Sequence, residues 1–382
     1  MKKRLIITLI ILTALAAVIH FTGNNYLYSA VYHNFANIDD YRFFPNRTID
    51  AGQPQPWPVS TQYNTGAFTP SEQENIESLD PVAFLVFRND SLLFERYWDG
   101  LDQNGISGSF SMAKSVVGAL IGVAIGEGRI RNVDQPVGDF IPSFKEGDKG
   151  KITIRHLLTM SSGLDWDESY ASPLSVTTRA YYGDNIPVLV DEMKAIEPPG
   201  VDYKYLSGNT LVLAEVIRQA TGKKLSDYLS ETLWKPMGAE HDGLWSTDRE
   251  GGTEKAYCCI TATARDFARI GKLYKDGGTW NGRQLIPAEY IAESIHPARL
   301  NDEGHPLERY GYAWWLLNHH GMKIFYARGI LGQYVFVIPE HQVIIVRLGH
   351  HRNSEYVQGH PLDVIQNIET GLRLAGISGH EE

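Results

Sequence analysis

Gly105-Ile106-Ser107-Gly108-Ser109-Phe110-Ser111-Met112-Ala113-Lys114, running on into Ser115-Val116-Val117-Gly118-Ala119-Leu120-Ile121-Gly122-Val123-Ala124-Ile125, decides how the rest of the chain reads. The spacing predicts a helix from Ser111 to about Glu127. Its apolar residues leave almost no polar face, so the helix belongs in the centre of a folded body. Two internal glycines and a polar start make it a poor membrane span. Directly before it lies a Gly/Ser-rich loop. Ser111 and Lys114 are three apart, and residues at that spacing share a helix face, so the amine can reach the hydroxyl. Ser111 also stands where free backbone N–H groups point outward from a helix start, the kind of donors that stabilise an oxyanion. An N-capping serine beside an exposed lysine is the plain alternative for the same four residues.

Upstream, Val82 to Arg88 and Ser91 to Tyr97 flank Asn89-Asp90 and read as a β-hairpin with a two-residue turn. Downstream, about 130–290 alternates helical patterns with long loops: Ile154 to Met160, Thr210 to Thr221, and Ala264 to Tyr274 capped by Thr263. From about 310 the pattern returns to strands, Gly311 to Leu317, Lys323 to Ala327, Tyr334 to Ile338 and Val343 to Leu348, before a closing helix from about Pro361 to Ala375. Strands at both ends with helices inserted between them predict an α/β fold, an antiparallel sheet flanked by helices with an inserted helical subdomain. Residues 23–74, rich in Asn, Pro, Gly and aromatics, read as an extended arm packed on that body, which occupies 75–382.

The first residues are of another kind. Lys2-Lys3-Arg4 precedes an uncharged apolar run from Leu5 to Phe21, giving an N-terminal hydrophobic helix over about 1–22. It reads either as a membrane anchor, for which the run is just long enough, or as a signal peptide cleaved near Ala14-Leu15-Ala16. Either way the basic end stays in the cytoplasm and the body is extracytoplasmic.

In 382 residues the hydrophobic fraction is 43% and the charged fraction 21%, values of a folded chain. The net charge of −10, with no Lys/Arg cluster beyond the first residues, argues against nucleic acid as a partner. The two cysteines, Cys258 and Cys259, are adjacent. A trans peptide holds neighbouring Cα atoms about 3.8 Å apart, closer than a disulfide normally accepts, so both are expected as free, buried thiols. No G-x-S-x-G elbow and no H-E-x-x-H occurs, and His350-His351, the one local histidine pair, is read as ordinary polar residues.

Two further stretches carry chemistry. Tyr203-Lys204-Tyr205-Leu206-Ser207-Gly208-Asn209 puts a tyrosine in a loop and an asparagine at a helix start, a proton acceptor and an orienting group. Tyr326-Ala327-Arg328-Gly329-Ile330-Leu331-Gly332 places two glycines at a strand end, where a ligand can approach the backbone. In this order, the three motifs resemble those of the β-lactamase-related serine hydrolases: class C β-lactamases, D,D-peptidases, esterases and the 6-aminohexanoate-dimer hydrolase branch. The stretches Ile154 to Leu164 and Ala264 to Arg269, and Phe44-Pro45-Asn46-Arg47 with Ala51-Gly52, look similar to the last branch.

The resemblance, which covers about 75–370, implies a β-lactamase/transpeptidase-like fold. It implies an acyl-enzyme on Ser111, with Lys114 activating the hydroxyl and Tyr205 as general base. The Ser111 and Ile330 N–H groups would form the oxyanion hole, with no metal and no cofactor. Ser207 stands where the Y-x-N pattern has Asn, and Ser207-Gly208-Asn209 is similar to an S-x-N form, so Ser207 or Asn209 is the binding residue. The third motif departs: Ala327-Arg328-Gly329 replaces the Lys/His-Thr/Ser-Gly that helps bind a substrate carboxylate. Arg328 can take a carboxylate bidentately if it points inward, with Gly329 beside it. An ester or short amide is therefore expected as substrate. A penicillin-recognising or D-Ala-D-Ala-type enzyme, and a non-catalytic module of the same fold, are the competing readings. Tyr170, Tyr181, Tyr182, Trp314, Trp315 and Tyr326 are expected to line an apolar acyl pocket.

Overall fold

A computed structural model describes residues 1–377. The hairpin forms as expected, strand Pro81–Arg88 pairing with Ser91–Tyr97. Asn89 (φ 49°) and Asp90 (φ 59°) both adopt left-handed backbone, the twist-matched turn that Asn and Asp tolerate. These strands close a six-stranded antiparallel sheet with Trp315–His319, Met322–Gly329, Gln333–Ile338 and Val343–Gly349. In space the order runs 315–319, 322–329, 333–338, 343–349, 81–88, 91–97. The first of these strands begins at Trp315, later than Gly311. Ala313 adopts φ 59° and the Gly311 N–H bonds the Trp314 carbonyl, so a tight turn occupies the expected strand start.

Alternate residues of the sheet feed two cores, which explains why its strands read as continuous apolar runs. Leu85, Phe87, Val335, Val337, Ile344 and Val346 face one side. Phe84, Val86, Phe336, Ile338 and Ile345 face the other, where helix Leu362–Leu374 contributes Val364, Ile368 and Leu372. On the first side lie helix Ala264–Lys275, whose Thr263 cap accepts the Asp266 N–H, and helix Met112–Gly126. Every residue of the latter from Met112 to Ala124 is buried. At roughly 1.5–3 kcal/mol for each large apolar side chain removed from water, this helix is a main source of core stability. A Cβ at Gly122 would meet the Tyr290 ring at 2.6 Å, so glycine there lets helix Ala288–Ser294 pack closely on the central helix.

The stretch 23–74 is more structured than an extended arm. It holds helices Tyr26–His33 and Pro70–Glu77 and strand Asn46–Ile49. Tyr26 and Ala30 bury one face of the first helix against helix Val176–Tyr182. Thr69 and Glu72 form a capping box on the second, a short-range signal. The segment 130–290 is likewise not wholly helical. Gly243–Ser246 and Ile260–Thr263 join Asn46–Ile49 and Ile106–Gly108 in a four-stranded sheet ordered 46–49, 243–246, 260–263, 106–108.

Cys258 and Cys259 are not free thiols: their sulfurs are bonded to each other. The Cα atoms lie 3.7 Å apart, and Cys259 adopts φ 72°, a left-handed turn that brings the two side chains to one side. Helix Lys2–Phe21 is long and apolar enough to cross a membrane, and among its described residues none is fully buried in the body.

Candidate active site

Strand Ile106–Gly108 delivers the chain to the start of the central helix. Ser109 donates its N–H to the Ile260 carbonyl (2.7 Å), and Phe110 then turns through φ 44°. A non-glycine residue in left-handed backbone is costly and persists where its surroundings demand it. The turn sets Ser111 at the N-cap position with φ −65° and no capping hydrogen bond from its side chain. The plain capping role is therefore absent. Instead the Lys114 Nζ donates to Ser111 Oγ at 2.8 Å and to the Tyr257 carbonyl at 3.0 Å. Lys114 is only 1% exposed. Its ammonium sits between two aromatic faces, 5.1 Å from the Tyr205 ring centroid and 5.6 Å from that of Tyr257. Tyr205, half-buried, packs at 5.6 Å on Trp315 and edge-on to Tyr310. Ser111 and the Tyr205 ring thus lie on either side of the Lys114 amine, the first in a hydrogen bond and the second through its ring face, while no hydrogen bond joins the Tyr205 hydroxyl to either residue among the described residues.

Gly329 ends its strand against the loop before the nucleophile. A Cβ there would lie 2.3 Å from the Ser109 carbonyl oxygen and 3.1 Å from Phe110 Cβ. Gly329 is not a wall of the cleft; it permits the close approach of the strand end to the Ser109–Phe110 loop, and the next residue, Ile330, lines the same cleft as Ser111. Neither the Ser111 nor the Ile330 N–H is taken up by a loop or turn hydrogen bond among the described residues. The Ile330 carbonyl accepts from Gln333 Nε2 (3.1 Å), and Leu331 follows with φ 61°.

These groups open onto a cleft of about 1370 Å³ lined by Phe110, Ser111, Tyr257, Cys258, Ser207, Ile330, Leu331, Tyr170, Tyr181 and Tyr182. Residues 30–37, which lead out of helix Tyr26–His33, supply another wall. Of the expected aromatic lining, Tyr170, Tyr181 and Tyr182 are there. Trp314 is instead buried in the core against Phe325 and Tyr274, Tyr326 is buried and bonds His360, and Trp315 packs beside Tyr205. Alternation along strand Met322–Gly329 sends Tyr326 and Arg328 to one face and Ala327 to the other.

Arg328 accordingly lies outside the cleft lining, its guanidinium carbon 3.3 Å over the Trp315 ring. Asn209 is also not a cleft residue. The helix begins at Ser207, not after Asn209, which turns Asn209 inward: its Oδ1 accepts from Ser162 Oγ at 2.5 Å and its amide faces Met160 Sδ at 3.3 Å. The reason for the earlier start is Glu168, whose carboxylate accepts both the Ser207 N–H and its hydroxyl, each at 2.6 Å. An anion at the first turn satisfies donors that a helix otherwise leaves open. Of the two binding candidates, Ser207 lines the cleft.

Glu168, Tyr257 and the 30–37 wall are the site features that sequence reasoning missed. Tyr257, next to the paired cysteines, had the only local signal; its hydroxyl is buried with no hydrogen-bond partner among the described residues. The arm is clamped to the cleft by Asp40, which accepts the Tyr181 hydroxyl at 2.7 Å. Burial pushes the Asp40 carboxyl up, partly offset by that hydrogen bond. Lys255 donates to the Tyr181 carbonyl (2.6 Å) with its amine over the Phe44 ring, and its burial pulls its pKa well below the usual lysine range.

The chain is similar to 6-aminohexanoate-dimer hydrolase of Paenarthrobacter ureafaciens, 28% identical over 296 residues, 73% of this chain and 75% of that one. A solved Bacillus anthracis structure, provisionally described as a hydrolase of that same kind, superposes with TM-score 0.75 at 24% identity, covering 89% of this chain and 94% of its own. A family VIII carboxylesterase superposes with TM-score 0.60 at 17% identity, over 81% of this chain and 99% of that one. Both superpositions speak to the fold. The beta-lactamase family model matches residues 74–364, most of the chain, including Ser111, Lys114 and Tyr205 but not the 30–37 wall, so the protein belongs to the β-lactamase family of serine hydrolases.

Proposed function

We propose that this protein hydrolyses an ester or a short amide through an acyl-enzyme on Ser111, outside the cytoplasm and held at the membrane by Lys2–Phe21. The observation that carries the reading is the 2.8 Å contact between Lys114 Nζ and Ser111 Oγ in the floor of the cleft. Lys114, held by the Tyr257 carbonyl at 3.0 Å, activates the Ser111 hydroxyl, whose oxygen attacks the substrate carbonyl. The Ser111 and Ile330 N–H groups, both free of loop hydrogen bonds, receive the developing oxyanion. Tyr205, its ring against the same amine, takes part in proton transfer to the leaving group and activates the water that frees the acyl group.

Ala327 offers no donor side chain, and Arg328, stacked on Trp315, lies outside the cleft lining, which argues against a carboxylate clamp at this strand end. That favours esters and short amides over penicillins and D-Ala-D-Ala peptides, and similarity to the aminohexanoate-dimer hydrolase agrees with a short amide. The basic residues before the apolar helix support the orientation, with the body across the membrane from them. The test is one preparation assayed on p-nitrophenyl esters, a cephalosporin and 6-aminohexanoate dimer, with a fluorophosphonate probe to locate the nucleophile. Turnover of an ester or the dimer that vanishes in Ser111→Ala, with the adduct on Ser111, is expected. Labelling at another residue, or none on folded protein, refutes the reading.

A further inference from the structure

The cleft is larger than its chemistry requires, and its lining is part apolar and part polar. Small-molecule sites commonly occupy about 300–1,000 Å³, whereas this one has about 1370 Å³. Part of its lining comes from the segment that leads out of the apolar N-terminal helix: Ala30, Val31, Phe35 and Ala36. Val31 is 77% exposed and Phe35 75%, and Leu174, 74% exposed, follows the lining residue Pro173. Exposed apolar residues gathered around the mouth of a cleft mark a surface with an occupant. Just past Ala36 the lining turns polar: Asn37 meets His350 at 3.0 Å, Asp99 lies beside His350, Asp80 is bonded to His351, and Arg352 follows.

The tether fixes where this groove can be. Ala30 is nine residues past Phe21, the end of the apolar helix (30 − 21 = 9). Five residues to Tyr26 span at most about 17 Å when extended, and four helical residues add about 6 Å. With Lys2–Phe21 in a bilayer, the apolar wall therefore stands within about 23 Å of the hydrocarbon edge.

We propose that the substrate is a membrane-borne amphiphile with a long apolar acyl chain. The chain lies against Val31 and Phe35 while its carbonyl reaches Ser111 and its polar part faces Asp80 and Asp99. This rests on Ser111 as the acylated residue. Each methylene the wall removes from water should raise kcat/KM about threefold until the chain outruns the groove. The experiment uses the full chain in phosphatidylcholine vesicles with p-nitrophenyl acetate, butyrate and octanoate, and with p-nitrophenyl palmitate dissolved in the same vesicles. The octanoate-to-acetate ratio of kcat/KM is expected to exceed ten, and palmitate to be turned over.

The double variant V31S/F35S, checked for an unchanged melting curve, should bring the octanoate-to-acetate ratio down at least fivefold. A ratio near one in the natural protein, or a ratio that survives V31S/F35S, overturns the inference while leaving Ser111 chemistry intact. Failure of every ester together with no fluorophosphonate adduct on Ser111 removes the hydrolase reading itself.

Discussion

Replacing Gly329 by Ala adds a single methyl group, and the structure states what that methyl meets. The backbone of Gly329 (φ −115°, ψ 157°) is ordinary extended conformation, so alanine adopts it without strain. The whole effect is therefore steric. The new Cβ would stand 2.3 Å from the Ser109 carbonyl oxygen, 3.0 Å from Gln333 Cβ and 3.1 Å from Phe110 Cβ. Van der Waals contact for such a pair begins near 3.3 Å, so the Ser109–Phe110 loop or the strand end must retreat by about 1 Å. That loop carries Ser111, and the strand end carries Ile330.

A misplacement of about 1 Å in a catalytic constellation costs on the order of 100-fold in rate. The overpacking itself costs about 1–3 kcal/mol, a drop of roughly 2–5 °C in Tm for a domain of this size. Gly329→Ala should therefore lower kcat/KM for p-nitrophenyl acetate, and the rate of fluorophosphonate labelling, by about two orders of magnitude on a protein that still melts cooperatively. Labelling and turnover within threefold of the natural protein would refute the account, because the loop would then have moved without disturbing the nucleophile. A Gly329→Ala chain that fails to fold would refute it too, since the predicted strain is far below total stability.

Three other outcomes follow from particular contacts. Lys114→Met removes the one side-chain partner of Ser111 Oγ and should slow acylation by a labelled fluorophosphonate about 10²–10⁴-fold, the usual share of acid–base assistance, as read by intact mass against time. His360 is held neutral: burial first, then the charges of Arg328 and Arg309, bring its pKa down from 6.5 to about 4. A pKa lowered on folding contributes stability that is complete above pH 6.5 and is lost as pH falls through the window to about 4. The contribution is about 3 kcal/mol. Urea midpoints from pH 7.5 to 4.5 should fall more steeply for the natural protein than for His360→Gln, and equal slopes would count against it. Finally, denatured but unreduced protein should take up no iodoacetamide, and two adducts after reduction, if Cys258 and Cys259 are bonded.

The local signals were strong where one element sufficed. The Asn89-Asp90 turn, the capping residue Thr263, and the apolar continuity from Val116 to Ile125 depend on neighbours within a few residues, and such patterns are read directly from the chain. The S-x-x-K pair belongs with them, because three residues on one helical face are adjacent whatever surrounds the helix. Orientation in the third dimension was not legible. Arg328 and Asn209 were reasonable cleft residues by position, yet strand alternation sends one onto Trp315, and a helix start displaced by Glu168 turns the other into the core. The paired cysteines were misread for a similar reason: the rule for Cα spacing holds for ordinary backbone, and the left-handed turn at Cys259 is imposed from outside.

By itself the sequence determined the period of the sheet strands and the central helix, the apolar segment at the amino end and a serine hydroxyl with an amine one turn away, since each of these is a property of residues close together along the chain. Only the tertiary structure decided which tyrosine rings flank that amine, that the Gly329 backbone presses on the nucleophile loop, and that the arm after the apolar helix walls the cleft. Those are contacts between segments tens to hundreds of residues apart, and they exist only once two cores on the faces of one sheet have packed and drawn the segments together.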